Sequence, residues 1–124
     1  MLFGVPGAFT PTCSAKHLPG FVQQAAALKA KGVDTVACVA VNDAFVMQAW
    51  GKDQGVADQV VLLADGSAAF TKALGLEMDL TARGMGIRAQ RFALIVKDGR
   101  VTYLGVEEPG GFGVSSAEAV LAKL

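Results

Sequence analysis

Two short, unbroken apolar runs, Thr35–Val41 and Val60–Ala64, alternate with segments of helical period. That alternation restricts the chain to folds built around buried parallel strands. Residues 2–5 read as a further short strand, cut by Pro6-Gly7. Residues 12–31 place Leu18, Phe21, Val22, Ala25 and Leu28 on one helical face, with a kink or break expected at Pro19-Gly20 and a stop at Gly32. Asn42-Asp43 offers a cap for a helix over 44–54, with Val46, Met47 and Trp50 on one side. Asp65-Gly66-Ser67 turns the chain into a short helix ending near Gly75, and residues 76–89 show no clear period.

The second half changes character. Arg91–Lys97 and Arg100–Val106 flank Asp98-Gly99, a strong hairpin signal, and the alternation along the first of these strands makes the Phe92, Leu94 and Val96 face the expected larger core contact. Ser115 and Glu118 form a capping box for a last helix with Ala117, Val120, Leu121 and Leu124 on its inner face. Parallel strands with crossover helices, then an antiparallel hairpin and a helix, predict an α/β fold. The expected architecture is a thioredoxin-like three-layer α/β/α sandwich with a mixed sheet, as one domain over residues 1–124.

Composition excludes several classes. Apolar residues are 52% and charged residues 18% of the 124, the reverse of a disordered chain. Eleven basic and eleven acidic residues cancel, so no charge argument favours nucleic acid or an anionic membrane. No apolar stretch approaches the ~20 residues of a membrane-spanning helix. His17 and two cysteines are too few for a typical zinc site, and no metal or other cofactor is expected. Two cysteines without a visible secretory leader point to a reducing compartment, the cytoplasm. The chain opens inside an apolar run, Leu2, Phe3 and Val5, as though a strand were already under way.

The chemistry-bearing segment is Pro6-Gly-Ala-Phe-Thr10-Pro11-Thr-Cys13, where the first strand hands over to the first helix. Thr10-Pro11 suits an N-cap and first helical position. Cys13 then falls in the first turn, where unpaired N–H groups and the helix dipole favour a thiolate, the reactive form. The alternative for such a cysteine is a small buried hydrophobe.

The run Leu2–Ser14 with His17-Leu-Pro-Gly-Phe21 closely resembles the active-site segment of type II (peroxiredoxin-five) peroxiredoxins. The likeness continues through Val39–Phe45, Leu62–Asp65, Arg91-Phe92, Gly105–Glu108 and the C-terminal helix. It implies a thiol peroxidase acting on hydrogen peroxide and alkyl hydroperoxides. In that reading Cys13 is the peroxidatic cysteine, and Thr10 and Arg91 are catalytic. Pro6, Thr10, Thr12 and Arg91 bind the substrate, with Pro6 shielding the pocket. Arg88 is the nearest competitor for the role of Arg91. His17 reads as a pocket-wall or hydrogen-bonding residue rather than a general base. Cys38 matches a second cysteine of some members, a possible resolving thiol, although its run reads as a buried strand. The region Val114-Ser115-Ser116 lacks the resolving cysteine of the atypical two-cysteine members, which implies recycling by an external thiol such as glutaredoxin, glutathione or thioredoxin. The resemblance further implies a homodimer, with Phe9, Pro11, Met85 and Phe112 as candidate contacts, and a missing N-terminal hairpin. Two other readings compete. A dithiol exchanger would need Cys-x-x-Cys, and position 16 is Lys. A non-enzymatic partner-binding module, or an inactive truncated fragment on the same fold, is the alternative to an enzyme.

Overall fold

A computed structural model describes residues 1–124. Its strands and helices are β1 (Leu2–Gly4), α1 (Leu18–Ala30), β2 (Ala37–Ala40), α2 (Ala44–Gln54), β3 (Val61–Ala64), α3 (Ala69–Ala73), β4 (Glu77–Leu80), β5 (Gly86–Ala89), β6 (Phe92–Lys97), β7 (Arg100–Val106) and α4 (Ala117–Leu121). A five-stranded sheet runs β3-β2-β1-β6-β7, and β4-β5 forms a separate two-stranded sheet. The pairs β1–β2 and β2–β3 are parallel, while β1–β6 and β6–β7 are antiparallel, so the large sheet is mixed as expected. No helix is long and apolar enough to cross a membrane.

The main core lies on the sheet face that carries Phe3, Val5, Cys38, Ala40, Ala93 and Ile95, against Leu18, Phe21 and Leu28 of α1, Met47 and Trp50 of α2 and Ala117 and Val120 of α4. Phe92 and Leu94 face the other way, into a smaller cluster with Val39 and Leu76. This reverses the expected order of the two β6 faces. The helices collect over the small residue Ala93, whereas the phenyl ring of Phe92 fills the space left above Gly4, where a Cβ would collide with it.

Five further expectations are corrected. The run Val60–Ala64 does form a strand, but at the sheet edge, with Val61 and Leu63 exposed. Residues 76–89 are not irregular: Glu77–Leu80 pairs with Gly86–Ala89 in an antiparallel hairpin. The helical irregularity lies upstream of Pro19-Gly20, as a wide π-helical turn at Cys13–His17. Pro19 lacks an N–H and its ring collides with the carbonyl four residues back, which a wider turn relieves. The last helix is capped by Ser116, whose hydroxyl accepts from the Ala119 N–H at 3.1 Å, and not by Ser115. That helix ends at Leu121, leaving Leu124 exposed.

On the back of the sheet, the register aligns Val61, Ala37, Leu2, Leu94 and Leu104 in one apolar row across five strands. The middle of the row is covered, but Val61 and Leu104 at its ends are 47% and 51% exposed.

Candidate active site

The loop leaving β1 bends because Pro6 and Gly7 break the strand and Phe9 takes a left-handed backbone conformation, φ 63°. It is tied to the β2–α2 connection by the Ala8 N–H, which donates to Asn42 Oδ1 at 2.9 Å. Helix begins at Pro11, with Thr10 at the capping position. The Thr10 hydroxyl does not cap; it donates to the Gly7 carbonyl at 2.7 Å. Having one proton, it is left as an acceptor toward anything else. The N–H groups of Thr12 and Cys13 find no carbonyl in the preceding turn, as is usual at a helix start.

Cys13 is fully buried at the start of the π turn. Arg91, just before β6, donates from Nη2 to Cys13 Sγ at 3.1 Å and contacts His17 Nδ1 through Nη1 at 2.9 Å. Arg88, the competitor, turns to the Met85 carbonyl at 2.8 Å. Pro6, Thr10, Thr12 and Arg91 line one cleft of about 540 Å³, whose other walls include Met78, Leu80 and Met85 of the β4–β5 region and Glu107 and Glu108 after β7. A larger open groove of about 800 Å³ between α2 and β3 holds none of these groups.

The residues singled out in the sequence therefore converge, with one exception. Cys38 sits in the centre of β2, fully buried and unbridged. Burial, followed by the neighbouring Cys13, pushes its thiol well above 9 against a weaker pull from Arg91, so it stays protonated. Trp50 is also buried, and its indole N–H donates to Ser14 Oγ at 3.0 Å, beside Cys13.

Two residues of the site were missed. Glu107 Oε2 accepts from the Ser115 hydroxyl at 2.6 Å and from the Gly113 and Ser115 N–H groups at 2.6 and 2.9 Å. Burial opposes its charge, but these bonds outweigh it and hold the carboxyl below its ordinary range. The Ser115 carbonyl lies 2.8 Å from His17 Nε2. Counting back from the Asp98-Gly99 turn, with the bulge at Ile95/Val96 allowed for, would have paired Arg91 with Glu107; the Glu107 N–H donates to the Arg91 carbonyl at 2.9 Å. His17 is fully buried. Desolvation first, with the Arg91 charge adding to it, brings its pKa from 6.5 down to about 4, against the opposing pull of the Ser115 carbonyl and Glu107.

Residues 1–121 match the Redoxin family. Peroxiredoxin-2E, chloroplastic, of Arabidopsis thaliana is 55% identical over the whole of this chain, which spans just over half (54%) of that relative. Among solved structures, reduced Prx3 of Vibrio vulnificus in complex with H2O2 is 60% identical, with a TM-score of 0.95 over 99% of this chain and 79% of that one. Peroxiredoxin 5 of Alvinella pompejana is 34% identical, with a TM-score of 0.88 over 98% and 75%. The chain belongs to the redoxin family and, within it, to the type II peroxiredoxins.

Proposed function

We propose that this chain is a thiol-dependent peroxidase that reduces hydrogen peroxide and alkyl hydroperoxides through Cys13. The observation that carries the reading is the Arg91 guanidinium, which lines the same cleft as Thr10 and donates to the sulfur of the buried Cys13 behind it at 3.1 Å. A permanently charged donor at that distance favours negative charge on sulfur. The thiolate attacks one peroxide oxygen; the S–O bond forms as the O–O bond breaks. Sulfur is oxidised to a sulfenic acid, and the departing oxygen takes a proton to leave as water or alcohol. Thr10, with its proton committed to Gly7, accepts the peroxide O–H, and the guanidinium faces the charge that develops on oxygen. The Thr12 and Cys13 N–H groups add donors, and Pro6 walls off water. The cleft is far larger than hydrogen peroxide and partly apolar, which supports organic hydroperoxides as substrates.

Recycling is assigned to an external thiol. A first thiol condenses with the sulfenic acid, releasing water and leaving a mixed disulfide, and a second releases Cys13. Burial of Cys38 in a central strand argues against it as the resolving partner. Glutaredoxin, glutathione and thioredoxin are the reductant candidates. A homodimer and a cytoplasmic setting complete the proposal. Phe9 and Pro11 are exposed and suit such a contact, whereas Phe112 packs edge-on against His17, with centroids 5.2 Å apart.

Stopped-flow mixing of reduced protein with hydrogen peroxide or an alkyl hydroperoxide, read by Trp50 fluorescence, tests the reading. A concentration-dependent change is expected in the parent and none with Cys13→Ser. Equal peroxide consumption by the two proteins would sink it.

A further inference from the structure

None of the steps above uses His17, yet it is fully buried one π turn from Cys13. Its ring lies against Phe3, Phe21 and Phe112, with centroids 4.8, 5.6 and 5.2 Å away. For packing alone a phenyl ring would serve as well. The two nitrogens carry a different message. Nε2 faces the Ser115 carbonyl at 2.8 Å, and a carbonyl only accepts, so Nε2 bears the proton. Nδ1 therefore presents a lone pair, and it faces Arg91 Nη1 at 2.9 Å, which only donates. The neighbours leave one tautomer, the neutral one. With its lone pair given to Arg91, this imidazole has nothing left with which to take a proton from a thiol or a peroxide.

A guanidinium is a rigid plane, so fixing Nη1 also fixes the direction of Nη2 toward sulfur. The reference point is itself fixed. Glu107 takes three donors from Gly113 and Ser115, which holds the Ser115 carbonyl in place. The Glu107 N–H donates to the Arg91 carbonyl, so Arg91, His17, Ser115 and Glu107 close a ring of hydrogen bonds. We infer that His17 is a positioning residue for the peroxide reaction: it aims Arg91 at the Cys13 sulfur and the O–O bond, and Glu107 anchors the far side of the ring. The inference rests on the peroxidase reading above and adds to it a reason for the direction of the arginine.

The test compares two reactions at the same sulfur. Peroxide oxidation, followed by Trp50 fluorescence, needs the aimed guanidinium at the breaking O–O bond. Alkylation by iodoacetamide has no such bond. His17→Phe keeps the ring and removes both hydrogen bonds. It is expected to slow peroxide oxidation by about 10- to 100-fold, up to the loss typical of one positioned donor, and to slow alkylation far less. His17→Gln retains one donor and one acceptor and is expected to recover most of the loss. Parental peroxide rates in His17→Phe would overturn the inference. So would an equal fall in both reactions, or a His17→Gln no faster than His17→Phe. Should His17→Phe lack a cooperative melt, Glu107→Ala leaves the imidazole in place and carries the same comparison; an unchanged ratio of the two rates would overturn the inference there. A parent that peroxide does not oxidise overturns the peroxidase reading and this inference together, and is recognised before any substitution is made.

Discussion

His17 has a single lone pair, and Arg91 takes it. That places a sign on the acid response of the protein. His17 titrates near 6.5 when unfolded and at about 4 when folded, so the unfolded chain binds the proton first as pH falls. The stability tied to neutral His17 is therefore complete above pH 6.5 and is lost progressively down to about pH 4. At 1.36 kcal/mol per unit, the loss is on the order of 3 kcal/mol. Urea midpoints at pH 7 and pH 4.5 are expected to differ in that direction, and His17→Gln is expected to flatten the difference. The Glu107 carboxyl, held below its ordinary range, adds a loss of the same sign at lower pH. At this scale the sequence was readable where chemistry is local. The segment from Pro6 to Cys13 carries its own turn residues and helix start, so Cys13 could be placed in a first helical turn without a fold, whereas the roles of Thr10 and Thr12 rested on the family resemblance. Glu107 and Ser115 could not, because their importance comes from hydrogen bonds that close only when the end of β7 meets the loop before α4.

Elements were legible in proportion to the strength of their punctuation. Asp43 caps α2, accepting from the Val46 N–H at 2.8 Å, as its position ahead of an amphipathic run requires. Asp43→Ala is expected to cost about 1 kcal/mol in chemical denaturation, with the peroxide rate of the folded protein unchanged. The β6–β7 hairpin likewise follows from Asp98-Gly99, with Asp98 at φ 52° and Gly99 at φ 78°. The β4–β5 hairpin was hidden because its strands are four residues each: Glu77–Leu80 and Gly86–Ala89 do alternate polar and apolar residues, but over too short a span to stand out, and the Thr81–Met85 connection carries no Asn-Gly or Asp-Gly turn signal. The capping box was displaced by one residue because Glu107 engages the Ser115 hydroxyl, leaving Ser116 to cap α4. A tertiary contact there overrode a local pattern that was otherwise sound.

At the scale of the molecule, the sheet has one well-covered face and one that is covered only at its centre. The unbroken apolar runs argued for burial on both faces, which holds for β2 and fails for β3, because a run cannot tell a central strand from an edge strand. Val61 combines an edge position with 47% exposure, a combination that invites pairing between chains. Val61→Lys is expected to leave stability within about 0.5 kcal/mol of the parent and to lower light scattering on heating.

The place of β1 has a kinetic consequence. It is three residues long, it lies in the middle of the sheet, and its partners are residues 37–39 on one side and 92–94 on the other. The second pairing spans most of the chain, so its closure entropy must be met before the strand is secured. The loop bearing Cys13 leaves directly from that strand, and Arg91 arrives with the far partner. A chain emerging from denaturant therefore brings thiol and guanidinium together only in the step that joins its two halves.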